Sequence, residues 1–568
     1  MCALHTPVCF AFIKVSLSLS LDQQDYEDVY SDGINNEEID SLDFNRFGGE
    51  LPPPGNSYSI PDAVQNFLMC LYKAIAEKNV YEIRGLYENT FAQLTDTYYK
   101  ESPWPAEDDI MSVIGQRENY RLFIIFYKEL YFRHIYANCQ PTIEQRFDSY
   151  KNYCALFNQL LGTDEPISLE LPNQWLWDII DEFIYQFQSY LFFKNKDNKQ
   201  DHEIQLIREN PKVWNVHSVL NVLHSLVDKS NINLQLKEYN EGRDPNLVVD
   251  TFGRETLYKM MGYFSLIGLL RLHSNLGDYY QAISVLENID LQGHLIENFA
   301  GVLACQTTTF YYVAFAYMMM KRYADAIRVL TSILQYLQRS RQISHQFRTV
   351  QLDLIEKQTE RMYVLLNICL VLYPQRIDES ISATLQMKLG DSLSKMQRGD
   401  LQEFENAFLY GCPKFLNPAT TQYDADGNET ELPRLEPARQ QLAVFMEEIH
   451  QQIPILTIRS YLKLYTTMSI SKLATFLEME EEALRLQLLA YKHKMRNMIC
   501  SDSTGKGGLE GEFVSSSDID FYIEKDMVHI ADTKVQRRYG DYFLRQINNF
   551  EDVYNHVSSF RLQQPKKV

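Results

Sequence analysis

Asp178 and Glu182 are the residue pair best spaced for acid–base chemistry, because they lie four positions apart within a helical pattern. Side chains at this spacing are neighbours on one face of a helix. General acid–base catalysis also needs a cleft and shifted pKa values, and nothing in the surrounding sequence indicates either. We therefore expect a solvated or salt-bridged helix face here, and not a catalytic pair.

His217 and His224 are the histidines whose spacing suggests a shared helix face, since they lie seven residues apart. Metal-binding histidines on a helix are usually four residues apart, as in the HExxH motif. No nearby Glu or Cys completes a set of ligands. The sequence therefore predicts hydrogen bonds from these histidines to neighbouring helices, and no metal site.

The glycines between Gly505 and Gly511 resemble a phosphate-binding loop only superficially. The GxxxxGK[ST] spacing is missing, and no predicted strand precedes the glycines. We expect a flexible loop instead. The chain also contains no GxSxG motif, and its cysteines and histidines suggest no nucleophile–base pair. The sequence therefore predicts a protein that is not an enzyme and that binds no cofactor or metal.

Lys492, Lys494 and Arg496 form a basic group at the end of a predicted helix and are candidates for contacting RNA. Cations at a helix C-terminus are also favourable without any ligand. The same helix begins with three acidic residues, 480–482, and the whole chain carries 54 basic against 75 acidic residues, a net charge of −21. Nucleic-acid binding requires a basic surface, so we expect weak or no direct contact with nucleic acid.

The composition is that of a globular protein, with 45% hydrophobic and 23% charged residues among 568. The nine cysteines include no CxxC pair, which is typical of reduced thiols in the cytoplasm. The apolar segment at 8–21 is too short to span a bilayer, and Lys14 interrupts it. It also lacks the basic stretch that precedes the apolar core of a signal peptide, so we expect a cytoplasmic protein without membrane contact.

Helical periodicity dominates the chain after Pro61. Apolar residues recur on one face over 176–187 and again over 216–227. The segments 279–286 and 323–330 form an internal repeat, 44 residues apart, in which Tyr and Ala occupy matching positions. A short turn and an apolar helix precede each copy. This arrangement is typical of tetratricopeptide-like helical hairpins, which bury their apolar faces by stacking.

The C-terminal part has a different pattern, with three helices and then a hairpin. Helical segments are predicted after Pro454, after an N-capping Ser469 and over 480–495. Alternating apolar residues over 521–530 predict a β-hairpin. Three helices followed by a hairpin make a winged helix. A long amphipathic helix with one apolar stripe follows it.

We therefore predict an all-α protein: a helical-repeat solenoid that ends in a winged helix with a small β-hairpin, plus a C-terminal amphipathic helix. The expected ranges are a disordered acidic tail at 1–60, a first helical-repeat region at 61–300, a second module at 301–533 and an assembly helix with a tail at 534–568. Within the second module we expect helical hairpins at 301–410, a loop at 411–439 and the winged helix at 453–533.

The hairpin and the terminal helix are the predicted subunit interface. The outer strand of a hairpin offers unpaired backbone groups to a partner strand, and an apolar helical stripe requires a partner helix. The alternative is that the terminal helix folds back on its own solenoid. The predicted interface residues are Phe521, Ile523, Val528, Ile530, Val535, Tyr539, Phe543, Ile547, Phe550 and Tyr554.

This order of elements resembles the PCI module, which the proteasome lid, the COP9 signalosome and translation initiation factor 3 share. Four stretches, three of which contain Trp or Tyr, are similar to the subunit L family of translation initiation factor 3, within a resemblance that covers residues 64–554. These stretches are 171–183, 214–226, 458–468 and 526–534.

The resemblance implies a scaffold subunit without catalysis, whose complex supports pre-initiation complex assembly on the small ribosomal subunit and mRNA recruitment. It also implies PCI-type partners within that factor, notably subunits K and E. Two alternatives remain at this point: a PCI subunit of the proteasome lid or signalosome, and a winged-helix regulator that binds nucleic acid.

Overall fold

The structure is a computed structural model. It describes residues 60–115, 120–195, 199–245, 248–289, 301–343, 350–417, 436–500, 508–515, 519–532 and 534–559. Within these ranges the protein is mostly helical, as predicted, with small sheets near its C-terminal end. No helix in the described ranges has the length and apolarity needed to cross a membrane. The predicted tail lies outside the described residues up to residue 59.

The first part of the chain consists of helices of very different lengths. A π-helical turn at Leu86–Thr90 separates the second helix from the third. The helices are α1 (Asp62–Glu77), α2 (Val80–Gly85), α3 (Phe91–Tyr98), α4 (Glu107–Ile114), α5 (Tyr120–Asn138), α6 (Ile143–Leu161), α7 (Asn173–Asn195), α8 (Asp201–Glu209), α9 (Val216–Ser230), α10 (Ile232–Asn240), α11 (Thr251–Arg254), α12 (Thr256–Leu276) and α13 (Tyr279–Ser284).

The second part continues with long helices and then adds strands. Its helices are α14 (Leu303–Met319), α15 (Tyr323–Ile343), α16 (Val350–Leu372), α17 (Glu379–Gln397), α18 (Leu401–Gly411), α19 (Pro437–Leu462), α20 (Ile470–Leu477), α21 (Glu481–Lys494) and α22 (Lys534–Ser559). Its strands are β1 (Thr467–Ser469), β2 (Arg496–Ile499), β3 (Glu512–Ser515), β4 (Ile519–Glu524) and β5 (Met527–Asp532).

The helices predicted over 176–187 and 216–227 are present as α7 and α9. Trp175, near the start of α7, is fully buried and stacks on Tyr87 with ring centroids 4.8 Å apart. Trp214, just before α9, is also buried and contacts Phe183 of α7 at 5.5 Å. Large aromatic rings therefore join helical segments of the solenoid that are not adjacent in the chain.

A recurring turn joins successive helices in the solenoid. One residue adopts positive φ, the amide of the next residue donates to the carbonyl five positions earlier, as in a Schellman motif, and the following helix begins two residues after the positive-φ residue. This turn follows α1, α12, α14 and α17, with the positive φ at Lys78 (57°), Gly277 (84°), Lys321 (64°) and Gly399 (87°). Two of the four turns belong to the internal repeat, at matching positions 44 residues apart.

The repeat prediction also placed two small alanines at close helix contacts. Ala282 on α13 and Ala326 on α15 are both completely buried. The hairpin of α12 and α13 packs against the hairpin of α14 and α15. The two copies therefore stack on each other, as tetratricopeptide-like hairpins do.

Helix α19 connects the solenoid to the winged helix without a break. Phe445 and Ile449, in its first half, belong to the solenoid core, whereas Ile455 and Ile458 belong to a separate core in the winged helix. The sequence predicts that the first helix of the winged helix begins after Pro454, but Pro454 lies inside α19. Proline lacks the backbone N–H of a normal helix residue, so α19 loses one hydrogen bond at Pro454. The helix continues there because it packs on both cores.

The winged helix has the predicted order of helices, with more strands than predicted. Ser469 caps α20 by accepting a hydrogen bond from the amide of Lys472 at 3.4 Å. Strands β4 and β5 form the predicted hairpin, and β1 joins β5 to make a three-stranded antiparallel sheet in the order β1-β5-β4. A second, two-stranded ribbon pairs β2 with β3, between α21 and the hairpin. The sequence analysis predicted neither β1 nor this ribbon.

Candidate functional site: the C-terminal assembly surface

The predicted interface side chains of the hairpin lie mainly on its inner face. Phe521 and Val528 are buried, Ile530 is half-buried, and all three pack in the winged-helix core. Phe521 stacks on Tyr491 of α21 with ring centroids 5.5 Å apart. Ile523, at the end of β4, is 38% exposed. These side chains stabilise the winged helix, so a partner would meet the hairpin through its backbone or its outer face.

The outer strand of the hairpin, β4, forms one edge of the sheet, and side chains of this chain cover the centre of that edge. The Lys492 ammonium donates to the carbonyl of Phe521 at 2.7 Å, and the amide of Phe521 donates to the carboxylate of Asp520 at 2.9 Å. Both backbone groups of Phe521 therefore have partners. Lysine at an edge strand is a common way to prevent unwanted pairing. Addition of a partner strand along β4 would require displacement of Lys492.

The outer face of the hairpin presents apolar surface that the sequence analysis did not select. Tyr522 is 58% exposed and stacks on His529 of β5, with ring centroids 4.9 Å apart, and Met527 is also exposed. The signal was available in the sequence, because residues that alternate with Phe521 along a strand point to the opposite face.

The terminal helix α22 exposes an apolar stripe. The prediction named six residues on it, of which Val535 and Tyr539 have side chains outside the described set. The other apolar side chains of the helix retain between 52% and 71% of their full exposure. They are Tyr542, Phe543, Leu544, Ile547, Phe550, Val553, Tyr554 and Val557. These side chains face solvent and do not pack on the solenoid.

Two of the three candidate RNA-contacting residues have partners within the chain. Lys492 holds the β4 edge and lies 3.6 Å from the Asp520 carboxylate. Lys494 is largely buried and pairs with Glu448 at 2.6 Å, whereas Arg496 is exposed at the start of β2. The basic group therefore does not form a continuous cationic face.

Asp178 is salt-bridged, as the sequence predicted. Its carboxylate accepts hydrogen bonds from the Tyr87 hydroxyl at 2.5 Å and from the Gln174 amide at 2.9 Å, and lies 3.5 Å from Arg133. Burial raises the pKa of Asp178 to about 6, and Arg133 opposes that rise. Burial also raises the pKa of Glu182, to about 8. With its donors in place, the Asp178 carboxylate links three solenoid segments.

His217 and His224 both occupy exposed positions on α9. The prediction that they bond to neighbouring helices is therefore wrong. The apolar face of α9, with Val219 and Leu223, makes the contact with the solenoid core, and the two imidazoles lie on the solvent side. A seven-residue spacing predicted their shared face but could not predict which face is buried.

Known proteins resemble this chain over most of its length. A family model described as RNA polymerase I-associated factor PAF67 matches residues 145–550. A relative from Danio rerio is 54% identical over 517 residues, which are 87% of this chain and 88% of the relative. Relatives from Homo sapiens and Nematostella vectensis are 52% and 50% identical, over 87% and 91% of this chain and 90% and 97% of their own.

All three relatives are described as eukaryotic translation initiation factor 3 subunit L. Identity of 50% to 54% over 87% to 91% of this chain shows a common family. The family model covers the solenoid from α7 onwards and the winged helix. The chain therefore belongs to the family of eukaryotic translation initiation factor 3 subunit L.

Proposed function

We propose that the protein is a non-enzymatic scaffold subunit of the cytoplasmic initiation factor 3 complex. In this role it supports assembly of the pre-initiation complex on the small ribosomal subunit, and recruitment of mRNA, through contacts between proteins. The name of its relatives supports membership of the factor. The net charge of −21 favours protein contacts over direct nucleic-acid binding.

The exposed stripe of α22 is the observation that carries the proposal. An aromatic-rich apolar surface on an otherwise soluble chain marks a site where another protein binds. Phe543, Ile547, Phe550, Tyr554 and Val557 follow one another at spacings of four and three residues. This is the spacing of helices that pack lengthwise against other helices.

The width of the stripe indicates how many helices cover it. With 3.6 residues per turn, the exposed apolar residues from Tyr542 to Val557 span an arc of about 200° around the helix axis. A seam between two helices uses a much narrower arc. We therefore propose that α22 packs between at least two partner helices. PCI-type subunits, with K and E the ones that the resemblance implies, are the proposed source.

The domain ranges take distinct roles in this proposal. The helical repeats of 61–300 and 301–410 form the rigid frame, the winged helix at 453–533 presents the outer face of its hairpin, and 534–568 is the assembly segment. The loop at 411–439 and the tail at 1–60 lie mostly outside the described residues and have no assigned contact.

The experiment replaces two stripe residues by charges, as Phe543→Asp with Ile547→Asp. Both side chains are exposed, so the isolated chain should keep its helical content and its melting temperature. Buried carboxylates without partners are strongly unfavourable, so incorporation into the complex should be abolished. Copurification with tagged initiation factor 3 subunits measures incorporation, and circular dichroism measures folding.

The matched control is Asn548→Asp with Asn549→Asp, which adds the same charge on the other side of α22. This variant should assemble normally. Normal incorporation of the stripe variant would reject the proposal, as would a loss of folding in the isolated chain.

A further inference from the structure

The turn between α14 and α15 differs from the other solenoid turns that share its backbone. In those three turns an Asn or Asp follows the positive-φ residue and accepts a hydrogen bond from an amide in the first turn of the next helix. The capping residues are Asn79 (3.3 Å), Asp278 (3.2 Å) and Asp400 (3.1 Å). The corresponding residue after α14 is Arg322, whose side chain has only donors and cannot cap a helix N-terminus.

Arg322 binds the segment that leads into β3 instead. The side chain is buried, and its Nη1 donates to the carbonyls of Gly508 and Leu509, each at 2.9 Å. Its Nη2 donates to the carbonyl of Glu510 at 3.3 Å. The Tyr317 hydroxyl also donates to the Gly508 carbonyl, at 2.9 Å. One arginine thus donates hydrogen bonds to the carbonyls of three consecutive residues.

Asp325 binds the other strand of the same ribbon. Its carboxylate is completely buried and accepts from Arg322 Nε at 2.8 Å and from Arg328 at 2.9 Å. It also accepts the amide of Cys500, at 3.1 Å and 3.2 Å to its two oxygens. Cys500 directly follows β2, so both strands of the β2–β3 ribbon are anchored to one turn of the solenoid.

The approach of the ribbon to the solenoid is close enough to require a glycine. A Cβ atom at Gly508 would lie 2.6 Å from the Tyr317 hydroxyl and 3.4 Å from a methyl of Ile283. Leu509 packs against the solenoid core. The sequence predicted a flexible loop over 505–511. That prediction is wrong for Gly508 and Leu509, because both carbonyls accept hydrogen bonds from Arg322 and the Leu509 side chain packs on the solenoid core.

A second contact lies beside the first. Lys321, the positive-φ residue of the same turn, pairs with Glu448 of α19 at 2.5 Å, and Lys494 at the end of α21 pairs with Glu448 at 2.6 Å. Burial opposes ionisation of Glu448, but hydrogen bonds from the two lysines and Gln452 keep its pKa below the ordinary value. This charge cluster joins the solenoid, the connecting helix and the winged helix.

We propose that Lys321, Arg322 and Asp325 form a latch that fixes the orientation of the winged helix on the solenoid. The covalent connection is α19, and Pro454 interrupts its hydrogen bonds between the two cores. A helix with such a defect is a place where two bodies bend relative to each other. The latch lies across that point. It therefore sets the direction of the hairpin and of the helix that follows it.

The test uses Arg322→Asn, which removes the bonds from the arginine of the latch to the ribbon and introduces the type of cap present in the other three turns. The hairpin of α14 and α15 should remain folded for that reason. Amide hydrogen exchange of Cys500 and of β2 and β3 should become faster by about tenfold or more, because charge-assisted hydrogen bonds to the ribbon are lost. Exchange in α14 and α15 should stay unchanged.

The matched control is Arg328→Gln. Arg328 also contacts Asp325, and the hydrogen bonds to the ribbon come from Arg322 and Asp325, so exchange of the ribbon should change by less than about twofold. A second variant, Gly508→Ala, pushes the ribbon away from Tyr317 without altering the turn, and should reproduce the pattern of Arg322→Asn. Unchanged ribbon exchange in either latch variant would overturn the proposal. Equal loss of protection in α14 and α15 would also overturn it, since Arg322 would then stabilise the hairpin itself.

Discussion

Helices α14 and α22 are both rich in aromatic and aliphatic residues, but the side chains of α14 are mostly buried and those described in α22 are mostly exposed. From Phe310 to Met318 every side chain of α14 is buried. Helices α12, α13, α15 and α16 surround it. The apolar side chains described in α22 are all more than half exposed. The first helix is covered by its own chain, whereas the described apolar side chains of the second, from Tyr542 to Val557, face solvent.

The difference between the two helices follows from where their polar residues lie. Helix α14 is apolar all round, and such a helix is stable only in the interior of a protein. Helix α22 has a polar face with Arg545, Asn548 and Asp552 opposite its stripe. It can remain in water on one side while a partner covers the other. Apolar content alone does not distinguish a core helix from an assembly helix, whereas its distribution around the axis does.

The largest effect on the isolated chain should come from Phe315→Ala in α14. Phe315 is completely buried and contacts Phe408, Phe415 and Tyr279, with ring centroids about 6 Å apart. Removing a buried phenyl ring costs about 3–5 kcal/mol of unfolding free energy, from lost transfer energy and the cavity that remains. Urea denaturation followed by circular dichroism measures this cost. A loss below about 1 kcal/mol would show that α14 is not the centre of a packed core.

A smaller effect is expected from Ala326→Leu on α15. Ala326 is completely buried on α15, whose main neighbours are α14 and α16, so a larger side chain overpacks a helix contact and costs about 1–3 kcal/mol. The matched control is Ser332→Leu, at an exposed position of the same helix, which should change stability by less than about 0.5 kcal/mol. Equal stability of the two variants would contradict the stacking of the repeats.

The sequence predicted those parts of the fold whose signal is local. Helical periodicity predicted α7 and α9, and the match of Tyr and Ala predicted the stacked hairpins around Ala282 and Ala326. Ser469 predicted the start of α20 because the cap and the helix are adjacent in the chain. Each of these features is decided by residues within one or two turns of each other.

Two hairpin turns and the β2–β3 ribbon were not predicted from the sequence. The turns have weak sequence signals, and the ribbon is held by residues far apart in the chain. The turns at Lys78 and Gly399 lack the Tyr and Ala of the repeat and share with it only the positive φ and the backbone hydrogen bond of the turn. Contacts between Arg322 and Gly508 link residues 186 positions apart. No local pattern reports such a pairing. Arg322 stands where the other three turns have a capping Asn or Asp, and this difference is evident only when the turns of the structure are compared.

The candidate site was predicted unevenly for a related reason. Periodicity identified the stripe of α22, including Phe543 and Phe550, because the pattern itself separates the two helix faces. On the hairpin it identified the inner face, with Phe521 and Val528, since apolar alternation marks the side that packs on the protein's own core. The exposed Tyr522 was missed for the same reason.

The smallest effect on the isolated chain should come from Phe550→Ala on α22. Phe550 is 71% exposed, so truncation loses little packing and should change the free energy of unfolding by less than about 0.5 kcal/mol. In the assembled complex, according to the proposed function, the ring is buried among partner helices. Aromatic residues at interface centres contribute strongly to binding, so affinity for partner subunits should fall by about tenfold or more.

Phe315→Ala should show the reverse, with a large loss of stability in the isolated chain. Urea denaturation and a binding titration on both variants measure the contrast, and a cost above about 1 kcal/mol for Phe550→Ala in the isolated chain would show that the stripe packs on its own solenoid.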